Sequence, residues 1–372
     1  MSKFINFFIK LFIFIISFLF ATLIVLIVGT YIFSQQSDTP IQDTLAEFQV
    51  IGKEIIDSKL TNKNSISISL DDTTSAQTPI ISTDTKYKYY YYQLDSYGKT
   101  IYTNLENNID NLKKENYIID FSTQFNDLLN KTNGQDILNK SFQSALDAFA
   151  YDYPELFYID ISKMTLTIKS TSIGPLTTYK VSLSPLDNKN YLTKAFSSEN
   201  EVDKAILKVE NIRTNAINNL TDINDYNKIL SVHDSLVNSL EYDTTLNKIN
   251  THNMYGALVE KNVVCEGYAK SFKYLLDALN IKNILVSGIA TNSSNESESH
   301  MWNYVELNGK WYGVDVTWDD PIIIGGPSKN SLRHTYFLKG NSTFNKSHVT
   351  TGKISDEGII YKLPSLSLEN YK

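Results

Sequence analysis

The chain has 372 residues, 42% hydrophobic and 20% charged, enough apolar material for one or two globular cores. A formal net charge of −7 gives no basic surface to organise a polyanion, so no nucleic-acid partner is expected. Cys265 is the only cysteine, which excludes an intrachain disulfide.

The first element is apolar. From Leu11 to Phe33 the chain runs 23 residues without a charge. As a helix that is about 34 Å, long enough to cross the hydrocarbon core of a bilayer. A cleaved signal peptide has a shorter apolar region and a small-x-small cleavage site, and neither is evident, so residues 1–36 are expected to be a retained transmembrane anchor. Lys3 and Lys10 precede the span, whereas Asp38, Asp43 and Glu47 follow it. This asymmetry places the N-terminus in the cytoplasm and residues 34–372 outside, a single-pass protein of the cell membrane. Without Lys3 and Lys10 the outer part has 32 basic against 41 acidic residues, a net charge of −9. An unpaired thiol in an exported chain is either intermolecular or reactive.

Residues 37–86 follow as a juxtamembrane helix and a linker. Ile41, Leu45, Phe48, Ile51, Ile55 and Ile56 recur at helical spacing, and the polar stretch 61–86 demands no fold. A small α+β domain is expected over 87–190. It has a helix carrying Ile101, Tyr102, Leu105, Ile109 and Leu112, and another from about Asp136 to Tyr151. The alternating runs Met164–Ile168 and Tyr179–Leu183 then form a hairpin. The tyrosine run Tyr89–Tyr92 suits carbohydrate stacking, yet aromatic clusters are more often packing, the reading adopted for it.

The catalytic unit is expected over 200–362. Val202, Ala205, Ile206, Val209, Ile212, Ala216 and Ile217 make one helical stripe, and Tyr226, Ile229, Leu230, His233, Leu236, Val237 and Leu240 another. His233 lies on that stripe and reads as a satisfied core or rim histidine. His252 lacks a carboxylate partner placed by any pattern and is not taken as a base. Behind Cys265, the residues Tyr268, Ala269, Phe272, Leu275, Leu276 and Leu279 form an amphipathic stripe, with Lys270, Lys273 and Asp277 opposite. Cys265 therefore opens a helix, where unpaired N–H groups and partial positive charge favour the thiolate that attacks carbonyls. Most lone cysteines are buried small hydrophobes. The stretch from Ser299 to Trp318 reverses that reading for Cys265.

Ile284–Ile289 is a buried strand, and Thr291–Ser299 a polar loop bordering a substrate groove. Then come two alternating runs, Ser299–Leu307 and Lys310–Trp318, joined by Asn308-Gly309, the signature of a two-residue type I′ hairpin. That turn pairs 307 with 310, 305 with 312, 302 with 315 and 300 with 317. Met301, Val305, Leu307, Tyr312, Val314 and Val316 share a core face. His300, Trp302, Tyr304, Trp311, Asp315 and Thr317 share the other, leaving His300 and Asp315 as diagonal neighbours able to hydrogen-bond. A cysteine on a helix N-terminus, a histidine and an aspartate that touch, and a sheet for the helix to pack on make a thiol acyl-transfer triad. Asp319-Asp320-Pro321, which invites a cation site with Glu296 or Glu298, reads as a turn with solvated carboxylates. No metal-ligand spacing occurs, and neither metal nor cofactor is expected.

At these residues the sequence resembles the transglutaminase-like superfamily of papain-type fold, in its bacterial membrane-anchored surface-protein branch. The resemblance rests on Tyr255-Gly256-Ala257-Leu258, Val264-Cys265-Glu266-Gly267-Tyr268-Ala269-Lys270, His300-Met301-Trp302-Asn303 and Asp315-Val316-Thr317-Trp318-Asp319-Asp320-Pro321. It implies an α+β catalytic domain, helices packed on an antiparallel sheet, preceded by the transmembrane helix and the small α+β domain. It also implies Cys265 as nucleophile, His300 as base and Asp315 as its orienting partner. The implied reaction forms an acyl-enzyme on a peptide carbonyl or glutamine amide of a cell-surface protein or cell-wall peptide, and passes it to water or an amine. Many relatives carry glycine just before the cysteine, where this chain has Val263 and Val264. Sortase-type transpeptidation is disfavoured because its cysteine sits on a strand, with the base preceding it. A non-catalytic surface scaffold that retains the fold is the other alternative.

Overall fold

In a computed structural model the chain is described over residues 68–70, 86–218, 220, 223–320 and 333–372. The expected anchor at 11–33 and the helix at 41–56 lie outside the described residues. Among those described, no helix is long and apolar enough to cross a membrane. The described residues belong to one compact unit.

Helix α1 (Ser96–Glu106) starts on Asp95, whose carboxylate accepts from Gly98 N at 2.6 Å. The single stripe expected from Ile101 to Leu112 is interrupted, and a separate turn α2 covers Ile109–Leu112. The break falls at two asparagines, where Asn108 Nδ2 donates to Asn104 O at 2.7 Å, a side chain competing with the backbone ladder. Strand β1 (Ile119–Ser122), turn α3 (Asn126–Leu129) and the long α4 (Gly134–Asp152) follow. The expected hairpin is present as β2 (Met164–Ile173) and β3 (Leu176–Pro185), with Leu166 opposite Leu183 and Ile168 opposite Val181. β1 adds to β3, giving the order β1-β3-β2. Within the tyrosine run Tyr90 is packing, 1% exposed with its hydroxyl donating to Leu285 O and its ring meeting Tyr151 and Tyr361 edge-on, whereas Tyr92 is 69% exposed.

Two capped helices come next. α5 (Glu199–Ile217) opens on Ser198, and α6 (Asp225–Ser239) on Asn224, whose side chain accepts from Asn227 N at 2.9 Å. Strand β4 (Glu241–Tyr242) pairs in parallel with β5 (Asn262–Val263), and a π-helical turn, Gly256–Glu260, lies between them. α7 (Cys265–Ala278) leads into β6 (Asn283–Thr291), β7 (Ser297–Leu307) and β8 (Lys310–Val314). A turn α8 (Asn341–Phe344) and β9 (His348–Val349) complete an antiparallel sheet of order β8-β7-β6-β9.

Both faces of this sheet are buried. Val305, Leu307, Tyr312 and Val314 pack with α5, α6 and α7, whereas Ile284, Val286, Trp302 and Tyr304 pack with Phe121, Phe149 and Leu183 from the N-terminal part. Asn303 Nδ2 donates to Ala269 O at 3.1 Å, tying β7 to α7. Within the polar stretch before residue 86, Ile68 and Leu70 are buried against the α5–α7 cluster, so this short piece belongs to the fold. The expected loop Thr291–Ser299 is present but shorter, over 292–296: β6 pairs with β7 as far as Thr291 opposite Ser297.

Candidate active site

The entry to α7 is built by β5. Val264 is extended and its N–H donates to Thr251 O at 3.0 Å, after which the chain turns directly into the helix. Val264 provides no side-chain cap, so no cap side chain covers the first-turn N–H groups beside Cys265. Cys265 is the first helical residue and is half-buried. Two residues on, a Cβ at Gly267 would lie 2.5 Å from Val263 Cβ, so only glycine lets the first turn close on the entry strand. Glu266 bonds Lys270 at 2.6 Å and His252 Nδ1 at 3.1 Å. His252 therefore does have a carboxylate partner, contrary to the sequence reading; the pairing depends on the fold of the 250–256 loop.

His300 and Asp315 come from β7 and from the turn after β8. The Asn308-Gly309 turn has φ values of 54° and 74°, as a type I′ turn requires. The ladder keeps the expected pairs 307 with 310 and 305 with 312, but ends at Asn303 opposite Val314. Pairs 302 with 315 and 300 with 317 are not made. The reason is Asp315 itself: its Oδ1 accepts from Thr317 N at 3.0 Å and Trp318 N at 3.1 Å, curling the backbone away from the strand. Its Oδ2 accepts from His300 Nε2 at 2.8 Å.

His300 Nε2 is engaged by Asp315, Nδ1 lies 3.9 Å from Glu298 Oε1, and Cys265 is close enough to the ring to bear on its charge. The structure thus brings together Cys265, His300 and Asp315. Burial pushes the His300 imidazole down, but the Asp315 charge and hydrogen bond, with Cys265 beside it, outweigh burial and hold it up at about 10. Burial likewise opposes the Asp315 charge, and the His300 cation with the hydrogen bonds from His300 and His348 holds the carboxyl well below its usual range.

His348 is the residue that sequence reasoning missed. Its Nε2 donates to Asp315 Oδ2 at 2.9 Å, and its ring stacks on Phe344 at 4.2 Å and meets Trp302 and Trp318 edge-on at 4.9 Å. It arrives through β9, where His348 pairs with Ala290. The available signal was Gly288 inside an apolar strand, since a strand glycine marks a close approach. A Cβ there would lie 2.2 Å from Val349 O.

The acidic pair after Asp315 also departs from the sequence expectation. Asp319 and Asp320 are 0% and 1% exposed, not solvated. Asp319 accepts from Tyr336 N at 2.9 Å and bonds His233 Nε2 at 3.1 Å, and Asp320 accepts from the Tyr268 hydroxyl at 2.9 Å. Elsewhere a cavity of about 560 Å³ is lined by Lys86, Glu155, Glu210, Arg213 and Tyr274; none of Cys265, His300 and Asp315 lines it.

Residues 215–316 match the model of the transglutaminase-like superfamily, a span that includes Cys265, His300 and Asp315. Kyphoscoliosis peptidase of Mus musculus is 30% identical over 98 residues, 24% of this chain and 15% of that protein. The chain thus spans under a fifth of the length of this curated relative. A crystal structure of a TGase is 12% identical with a TM-score of 0.27, covering 42% of this chain and 45% of that one. The matched span is a transglutaminase-like domain of α+β fold.

Proposed function

We propose that this transglutaminase-like domain is a thiol-dependent acyl transferase or hydrolase acting on peptide or glutamine amide carbonyls. One observation carries the reading: the buried Asp315 carboxylate holds His300 Nε2 at 2.8 Å, and the half-buried Cys265 lies beside that imidazole. A nucleophile, a base and an orienting group in that order are what acyl transfer requires.

In this reading the Cys265 sulfur attacks as a thiolate and forms a C–S bond to the carbonyl carbon. The backbone N–H groups at the start of α7 are the donors this reading assigns to the developing oxyanion. The C–N bond breaks as the His300 imidazolium gives its proton to the leaving amine or ammonia. Water or a second amine then attacks the thioester and gives its proton to His300. The C–S bond breaks and the sulfur leaves as thiolate. Asp315 keeps its charge throughout, holding the ring in one tautomer. The 23-residue apolar span and its flanking charges further support an anchored enzyme whose domain faces outward, with cell-surface proteins or cell-wall peptides as substrates.

Intact-mass analysis of the chain with glutamine-containing and cell-wall peptides, with and without an added amine, tests the chemistry. An adduct equal to peptide minus leaving group, absent in Cys265→Ala, is expected. Release as acid marks hydrolysis, and release as substituted amide marks transfer. A folded chain that never acylates would leave the scaffold alternative.

A further inference from the structure

We propose that His233, Asp234 and His334 form a binding site for one divalent transition-metal ion of the zinc class, with Asp319 as the carboxylate behind His233. The site is separate from Cys265 and does not depend on the acyl-transfer reading.

The three side chains converge from residues 100 apart in sequence. His233 and Asp234 leave the same turn of α6, with His233 Nδ1 3.0 Å from Asp234 Oδ1. His334 Nε2 lies 2.7 Å from that same oxygen. One ligand atom from each residue falls within 4.8 Å of the other two. Two imidazoles and a carboxylate are the donors that zinc and its first-row neighbours select, whereas calcium and magnesium take oxygen. Ligand atoms around a tetrahedral zinc lie about 3.3 Å apart. The observed separations of 2.7 Å and 3.0 Å need to open by only a few tenths of an ångström.

Two further observations point to a ligand. Asp234 is 5% exposed, yet its Oδ2 is buried without a hydrogen-bond partner. An unpaired buried carboxylate oxygen is costly unless something positive meets it. His233, 0% exposed, has its Nε2 at 3.1 Å from Asp319 Oδ2. A carboxylate on the far nitrogen is the usual support of a metal-binding histidine; it keeps the proton on Nε2 and leaves the Nδ1 lone pair for the ion. Binding would displace the proton between His233 Nδ1 and Asp234. His334, whose side chain is 13% exposed, gives the ion its way in.

The ion's place in the fold is structural. Asp319 also accepts from Tyr336 N, while Asp319 N donates to Asp315 O at 3.2 Å and Asp315 N to Tyr336 O at 3.1 Å. An ion on His233 and His334 therefore braces the turn that presents Asp315 to α6.

The test is the metal content of the full chain, wild type and Cys265→Ala, after zinc loading and dialysis. About one ion per chain is expected in both, with a melting temperature raised by roughly 5 °C at a hundredfold excess over the dissociation constant. His334→Gln and Asp234→Asn, checked for folding by circular dichroism, should lose both effects. Cobalt(II) loaded into the wild type keeps the test independent of those variants: ligand-field bands without a sulfur charge-transfer band are expected. The proposal is overturned if the folded wild type binds no zinc or cobalt at micromolar concentration. It is also overturned if Cys265→Ala abolishes binding, if a sulfur charge-transfer band appears, or if both folded site variants still bind.

Discussion

His348 donates to the same Asp315 oxygen that His300 uses, so one buried carboxylate oxygen serves two imidazoles, at 2.9 Å and 2.8 Å. The second imidazole is held by rings and cannot swing away without losing Phe344 and both tryptophans. We therefore expect His348 to be a positioning residue. His348→Ala should slow acylation by roughly tenfold or more, the equivalent of a lost hydrogen bond to a charged group. His348→Gln, which keeps an N–H donor, should recover part of it. The same variants should shift the alkaline limb of the pH–rate profile; loss of stability with no movement of that limb would reduce His348 to packing.

Cys265 should react with iodoacetamide in the folded chain at neutral pH, and His300→Ala should slow that labelling. Asp315→Asn should keep the fold and lower turnover by orders of magnitude, because the amide presents the wrong partner to the imidazole. An inert cysteine in well-folded protein, unaffected by either substitution, would reject the nucleophile assignment.

The pH dependence has a definite sign. His300 in the folded chain is held at about 10, above the roughly 6.5 of an unfolded histidine. Its contribution to stability is then fully present below about pH 6.5 and is lost as pH rises through about 10. Urea denaturation of wild type and His300→Gln should show a stability gap that narrows from pH 7 toward pH 10. Acylation should fall over the same upper range, as the proton needed by the leaving group is lost. A gap independent of pH would mean that this imidazole does not titrate there.

Gly267 predicts a paired-mutant result. Gly267→Ala places a methyl group 2.5 Å from Val263 Cβ, an overpacking that typically costs ~1–3 kcal/mol. The melting temperature should fall and Cys265 labelling should slow as the helix start is displaced. Adding Val263→Gly, which removes that Cβ, should restore part of both. Failure of the second change to rescue would place the strain elsewhere.

The elements around Cys265 were legible in the sequence because each carries a local signal. Asn308-Gly309 set the hairpin, and the apolar stripe behind Cys265 set α7. The features that escaped depend on contacts with no local pattern. Asp315 ends β8 by capturing the backbone of Thr317 and Trp318, which alternation alone reads as more strand. Asp319 looked solvated until His233, distant in sequence, was brought to it. His348 sits on a two-residue strand too short to register as one. His252 pairs with Glu266 across a loop that no periodicity describes.

The β6–β9 pairing sets an order of events during synthesis. Cys265, His300 and Asp315 are all made before β9, yet Asp315 gains its second imidazole only when His348 docks beside Ala290. A growing chain that already holds all three residues still has the Gly288 edge of β6 bare and Asp315 half-supported. Chains stopped at Ser347 should therefore label at Cys265 more slowly than the 372-residue chain, and labelling at the full rate would show that β9 is dispensable. On the proposed chemistry, the base beside Cys265 would gain its full support only late in synthesis.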